Sequence, residues 1–418
     1  MKKKILFYGD SPTVATGFGT VARNIIENLY KSGKYDIDIF GINYHGTPHP
    51  YPFNIWPAID HQSGDPYGRK KFCHFASQHD FDILFILQDT FIVDFMPELL
   101  AHLNQHRTEP FKTVMYYPID SILRPAWYNN IKDIDKLVAY TDFGKDAFLK
   151  HDVTKDIDVI CHGVDVKEYH VAPTDKVADF RKQYFGPHAE KFIFMNVNRN
   201  QQRKDIPRTM QAFKEFQKEV PESILYLHMA KKDQGWDLLD LCESMELSPT
   251  KDIIFPENME PNQGYPREVL NMLYNACDCV LSTTLGEGMG LAWLEAMACR
   301  TPIIMPDNTA MSEFITEDKG YLAASGSNSS LWTCIPNDNE ILRPLVDVED
   351  MVKVMKHVHG NYDEAKVKAD AAYDWVHNEM VWSGGITRQW LKVFDGVVKS
   401  MNAPTPVMHG PTIISEEL

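Results

Sequence analysis

The run CVLSTTLGEGMGLAWLEAMACRTPIIMPD, residues 279–307, reads as a strand, a glycine loop, a helix and a second strand. CVLSTT is a short apolar and β-branched run. Leu291–Cys299 is built from helix-forming Leu, Ala, Met and Glu, and PIIMPD is apolar again and bounded by prolines. Such a βαβ unit belongs to a mostly parallel sheet, in which the loops after the strands meet the ligand. Gly288 and Gly290 stand where that helix begins. Glycines there let backbone N–H groups approach an anion, and the helix dipole favours negative charge. Glu287, in the loop, and Glu295, two turns into the helix, are separated by seven residues. Carboxylates so placed can accept hydrogen bonds from the hydroxyls of rings on either side of that anion.

Outward from this unit the same alternation fills the chain. Strand-like runs recur at Ile5–Gly9, Asp36–Ile42, Phe81–Leu87, Lys112–Tyr117, Lys136–Thr141 and Asp158–Cys161, with Val21, Ile25 and Leu29 on one helix face after the first. The pattern restarts near Lys191 with KFIFMNVN, a helix over Asp205–Val220, then SILYLHMA, DIIFPE and the decisive unit. The expected fold class is α/β, two doubly wound Rossmann-like domains facing a cleft. The first spans 1–168 and the second 185–380, with Asp175–Gly186, charged and weakly periodic, as a connector. Ile386, Trp390, Phe394 and Val397 share a face of a last helix, about 384–400, expected to return to the first domain. Residues 403–418 lack periodicity and are expected to be a mobile tail.

Composition bounds the rest. With 44% hydrophobic and 24% charged residues, the 418-residue chain is globular in character, with length for two or three domains. Its net charge of −16 argues against non-specific coating of nucleic acid or anionic membrane. No apolar run reaches the ~20 residues that span a bilayer. The seven cysteines are scattered without a C-x-x-C pair, so a reduced, cytoplasmic protein is expected, with no disulfide framework.

Further candidates sit after other strands. In NVNRNQQRKD, residues 196–205, Arg199 and Lys204 are five apart. From Asn196 to Lys214 five basic residues face one acidic residue, a net of 5 − 1 = +4 in an acidic chain. Such cations can stabilise negative charge without a metal, and no His/Cys cluster has metal-ligand spacing, so no metal or other cofactor is expected. GDSPTVATGFG puts Thr16 and Gly17 in a glycine loop between strand and helix, a plain βα turn when read by itself. HGTPHPYPFNIWP, residues 45–57, is stiffened by four prolines. Tyr51, Phe53 and Trp56 offer flat faces to a sugar ring or an unstacked base, or pack on their own domain, and His45, Tyr51 and Trp56 are the candidates for binding such a ring. Asp120 in YYPIDS and Asp89 each follow a strand; Asp120 can hydrogen-bond a sugar or steady oxocarbenium charge, or cap a helix. The Asp-x-Asp pairs (Asp36/Asp38, Asp133/Asp135, Asp156/Asp158) begin strands, the wrong end of a parallel sheet for chemistry.

The string GEGMGLAWLEAMACRTPII, with the spacing of Arg199 and Lys204, resembles the signature of the glycogen-synthase-like retaining glycosyltransferases of the GT-B fold. It departs at Arg300, where that family usually has glycine. The resemblance implies sugar transfer from a nucleoside diphosphate, UDP above all, to a hydroxyl. Glu287 would contact the donor sugar and Glu295 the ribose. Arg199 and Lys204 would hold the diphosphate with the amides of Gly288, Met289, Gly290 and Leu291. The glycine loop with Thr16 and Gly17 would bring its amides to the donor phosphates. Asp120 stands where family members often carry a histidine. The departing phosphate would itself take the acceptor proton, so no nucleophile is needed. GDSPTVATGFG and GINYHGTPHPYPFNIWPA are also similar to glycosyltransferases carried by tailed phages, which makes a hydroxymethylated base in DNA one acceptor to weigh, in a host cytoplasm, beside saccharides, lipids and small molecules. Two rival readings are a nucleotide-sugar epimerase of the same fold and a non-catalytic nucleotide-sugar-binding protein.

Overall fold

The computed structural model describes residues 2–150, 155–261 and 264–402. Seven strands form the first sheet: β1 (Lys3–Asp10), β2 (Tyr35–Ile42), β3 (Asn54–Pro57), β4 (Ile83–Leu87), β5 (Lys112–Tyr117), β6 (Lys136–Ala139) and β7 (Ile157–Val159). They are parallel, in the order β3-β2-β1-β4-β5-β6-β7. Every residue of β4, ILFIL, is buried, as a strand covered by helices on both faces requires. The second sheet contains β8 (Phe192–Asn196), β9 (Ser223–Leu227), β10 (Ile253–Ile254), β11 (Cys279–Leu281), β12 (Ile303–Pro306) and β13 (Tyr321–Ala323). It is parallel too, in the order β10-β9-β8-β11-β12-β13.

Both sheets are doubly wound, and each reverses direction at one point: between β1 and β4, and between β8 and β11. The crevices at the carboxyl ends there are where such sheets take ligands. The Asp-x-Asp pairs lie at the opposite edge, held by lysines: Asp36 to Lys2 (3.3 Å), Asp135 to Lys112 (2.7 Å), Asp158 to Lys136 (3.0 Å).

Two segments differ from the sequence reading. The proline-rich stretch ends in β3, which pairs with Asp38–Gly41; as an edge strand it tolerates proline at the cost of few ladder bonds. Asp175–Gly186, read as a connector, forms the helix Thr174–Phe185, packed on the helix Arg267–Ala276. A single arginine fastens it: Arg181 donates to the carbonyls of Ala189 (2.6 Å) and Ala276 (2.8 Å) and to both carboxylate oxygens of Asp278 (3.2 and 2.9 Å). Val177, Phe180, Tyr184 and the buried Phe185 also pack on the core, a short apolar face set among charged residues.

The helix Thr387–Met401 packs on the first domain, with Trp390 against the rings of Phe85 (5.6 Å) and Tyr116 (4.7 Å) and Asp395 paired to Lys34 (2.8 Å). The chain thus passes between domains twice, at 160–173 and 380–386. The crossings touch: Val164 N–H donates to the Met380 carbonyl (2.8 Å) and Trp382 N–H to the Val164 carbonyl (3.4 Å). The tail from Ala403 lies outside the described residues. Among those described, no helix is long and apolar enough to cross a membrane.

A hairpin of the second domain, β14 (Trp332–Cys334) and β15 (Leu342–Pro344), reaches over to the first. Ile341 joins the first domain's buried cluster with Ile119, Leu123 and Trp127, and Arg124 donates to the Asn339 carbonyl (3.0 Å). Ile341→Ala should cost about 2 kcal/mol or more. It should also open new protease cleavage within 332–344 while far-UV circular dichroism stays unchanged.

Candidate active site

The two switch-point crevices face each other. Gly286 and Gly288 of the loop after β11 press on the loop after β5. A Cβ at Gly286 would collide with the Asp120 carbonyl, and one at Gly288 would lie 2.5 Å from the Pro118 Cβ. The glycines of this loop therefore permit contact between domains, in addition to opening the helix amino end as the sequence suggested. Gly17 faces the same helix: a Cβ there would lie 4.0 Å from Leu291 Cδ1.

At the centre Lys204 pairs with Glu287, and Arg203 stands 3.5 Å from the other oxygen of that carboxylate. Burial resists ionisation of Glu287, but Lys204 and Arg203 outweigh it and hold its carboxyl well below the usual range. Burial and the Arg203 charge pull Lys204 down to about 8, against the attraction of Glu287. Arg203 also bridges the cleft, its Nε 3.2 Å from Asp120 Oδ2. The other Asp120 oxygen faces Arg343 of β15, 3.4 Å away, and Arg343 donates to the Asp120 carbonyl (2.9 Å). Arg343 is itself held by Asp338.

Glu295 accepts a hydrogen bond from Tyr274 (2.8 Å). Burial pushes its carboxyl up to about 7, with the hydroxyls of Tyr274 and Tyr169 working the other way. The helix that carries it ends at Ala298, and Arg300, where the family pattern has glycine, takes the left-handed conformation (φ +58°). Its guanidinium lies over the Tyr373 ring (4.4 Å) and pairs with Asp370 (3.1 Å).

Other expected residues are placed differently. Arg199 forms a two-pronged pair with Asp233 (2.7 and 3.1 Å), so the cation beside Lys204 is Arg203. Thr16 caps its own helix, accepting from Gly19 N–H (2.9 Å) and donating to Asp10 (2.6 Å). The Met289 side chain is buried in the core, leaving only its backbone for a ligand. Trp56 packs on Phe75 and His79 of its own domain, because β3 draws it into the sheet's outer layer. Tyr51 stacks on Phe53 (5.2 Å) and donates to the Pro12 carbonyl (3.1 Å), beside the β1 loop. His45 is exposed after β2.

Asp89 and Asp10 end the adjacent strands β4 and β1, whose register sets Gly9 opposite Leu87. Burial, then the charge of Asp120, pushes Asp89 up to about 7 against the pull of Arg203. Asp10, also raised by burial, was not singled out in the sequence, although its position at a strand's carboxyl end marks it. Arg343 had no signal at all: it lies 223 residues from Asp120, beyond the motifs.

Removing one partner from a buried ion pair strands the other charge. Glu287→Gln should therefore lower stability by about 3 kcal/mol. The double variant Glu287→Gln/Lys204→Met should regain a large part of that loss in thermal or denaturant unfolding.

With this geometry in view, residues 178–333 match the family model described as glycosyl transferases group 1. The serotype-specific mannosyltransferase WbdA of Escherichia coli is 24% identical over 341 residues, covering 74% of this chain and 39% of that protein. A D-inositol 3-phosphate glycosyltransferase of Rhodococcus jostii is 27% identical over 205 residues, 48% of this chain and 44% of its own length. The chain thus spans about two fifths of the length of these curated relatives. Among solved structures, sucrose-phosphate synthase from Thermosynechococcus elongatus superposes with a TM-score of 0.73 at 16% identity, covering 96% of this chain and all of that one (100%). Anabaena HepE in complex with UDP-glucose gives 0.68 at 16% identity over 94% of this chain and 100% of its own. The fold is GT-B.

Proposed function

We propose, from the glycosyl transferases group 1 domain at residues 178–333, that the chain is a glycosyltransferase. It moves a hexosyl or pentosyl group from a nucleoside-diphosphate sugar, with UDP as the carrier, to an acceptor hydroxyl with retention of configuration. The observation that carries this reading is the placement of Lys204, Glu287 and the amino end of the helix Leu291–Ala298 across the cleft from Gly17.

The diphosphate lies against Lys204 and that helix end, where cation and dipole together stabilise the charge that grows as the glycosidic C–O bond breaks. Arg199 joins them by exchanging Asp233 for phosphate, a swap between two bidentate partners of one guanidinium. Glu287 orients the sugar and also keeps Lys204 in place. Glu295, fixed by Tyr274, reads the ribose diol. As the anomeric carbon leaves phosphate oxygen, the acceptor oxygen bonds to it on the same face. The acceptor proton passes to the departing phosphate, so charge and atoms balance without a protein nucleophile. Asp120, clamped by two arginines, faces the sugar from the first domain.

The activity test is direct: UDP-, GDP- and ADP-sugars are screened by calorimetry, and products are followed with and without acceptor. Slow hydrolysis alone and transfer on acceptor addition support the reading; an epimerised sugar, or binding with no turnover, replaces it with one of the rivals. Lys204→Ala should lower turnover about 10²- to 10³-fold.

The pH profile has a defined sign. Lys204 serves the diphosphate only while protonated, so kcat/KM should fall as pH rises through about 8. Lys204→Arg should move that limb upward, because a guanidinium keeps its proton.

A further inference from the structure

We propose that Arg343, carried by the hairpin β14–β15, is a positioning residue for sugar transfer: it holds the Asp120 carboxylate toward the reacting centre from across the domain boundary. The proposal rests on the glycosyltransferase reading and adds to it a residue outside the motifs that carry it.

The hairpin is built to deliver this side chain. Its antiparallel register sets Thr333 opposite Arg343 and Cys334 opposite Leu342. Side chains alternate between the two faces of such a ladder. Ile341 and Arg343 accordingly point inward and are buried, whereas Leu342 between them is 55% exposed. The base of the hairpin is fixed to the second domain. Ser325 bridges to Val346, Arg208 donates to the Val346 carbonyl (2.9 Å) and Asn308 donates to Ser325 Oγ (3.0 Å). Its tip turns through the left-handed residues Asn337, Asn339 and Glu340 (φ +63°, +58° and +51°). The inward face then meets one short stretch of the first domain, 119–127. Ile341 packs with Ile119, Leu123 and Trp127, Arg124 donates to the Asn339 carbonyl, and Arg343 reaches Asp120.

Asp120 depends on that delivery. Among the described residues, its carboxylate has no partner from its own domain: Arg203 faces one oxygen and Arg343 the other. The two arginines are not equivalent. Arg203 is also drawn to Glu287 and to the Gly286 carbonyl, next to Lys204 and the proposed diphosphate position, so the donor's charge competes for it. Arg343 has a different second partner, Asp338, on its own hairpin. It grips both oxygens of that carboxylate, and its side chain is only 4% exposed. With its charge balanced there, nothing draws it toward the donor. Arg343 therefore keeps the Asp120 carbonyl (2.9 Å) and carboxylate in place while Arg203 and Glu287 respond to the diphosphate. A displacement of about 1 Å at a reacting centre costs about 10²-fold in rate, so a guanidinium that fixes one carboxylate governs turnover without touching substrate.

The test uses the full chain and follows donor affinity by calorimetry and turnover by initial rates. The probe is UDP-glucose, or GDP-mannose if that is the donor bound, and release of the nucleotide is measured alone and with the acceptor found in the activity screen. Arg343→Met should lower kcat about 100-fold while the donor dissociation constant changes by less than about threefold. Arg343→Lys keeps the charge and gives up the fork, so it should lie between, at a loss of about tenfold. The discriminating measurement is a double-variant cycle. Because Arg343 acts through Asp120, Arg343→Met should cost less than about threefold more once Asp120→Asn is present. A merely structural role would multiply the two losses and weaken donor binding with them. If Arg343→Met folds poorly, the same cycle is run with Arg343→Lys. Unchanged turnover in both Arg343 variants, full additivity with Asp120→Asn, or a donor affinity that falls as far as kcat overturns the positioning role and leaves the transferase reading in place. A wild-type chain that binds no nucleotide sugar, or binds one without turnover, overturns both.

Discussion

A single carboxylate, Asp120, is gripped on each oxygen by a guanidinium from the opposite domain, Arg203 on one side and Arg343 on the other. Two charges of one sign flanking a third of the other form a network that is stable only when all members are present. The loop after β5 is thereby fixed against the loop after β11, at a spacing that only Gly286 and Gly288 allow. Everything in the cleft is set from this junction. Arg203 reaches Glu287, Glu287 holds Lys204, and the helix that begins at Leu291 is aimed at Gly17.

The pattern of charge across the cleft has a division of labour. On the second-domain side, cations outnumber what Glu287 can neutralise, and the helix amino end adds positive potential. On the first-domain side, Asp89 and Asp10 are held in a setting that pushes both toward protonation through burial. The two faces of the cleft thus differ in electrostatic character, positive on the second-domain side and carboxyl-lined on the first.

Much of this was legible in the sequence because it is written locally. β1, β5 and the helix at 291 follow from runs of apolar residues a few positions long, and Glu287, Glu295 and Lys204 from fixed spacings beside them. What escaped is written at a distance. Arg343 meets Asp120 only after the hairpin has folded across, and nothing near either residue announces the meeting. The helix Thr174–Phe185 was hidden because its short apolar face, Val177, Phe180, Tyr184 and Phe185, is interleaved with charged residues, one of which, Arg181, is itself an anchor. Trp56 was drawn toward a ligand by its flat ring, but edge-strand packing on Phe75 and His79 satisfies it at home. The left-handed backbone at Arg300 shows the converse: a turn geometry kept without its usual glycine, with Tyr373 and Asp370 supporting the larger side chain.

The paired crossings between the domains, joined by hydrogen bonds between Val164 and its neighbours Met380 and Trp382, act as a double-stranded pin. One strand would let the lobes swivel freely. Two lying alongside each other leave a single scissoring axis and resist torsion about the line joining the lobes.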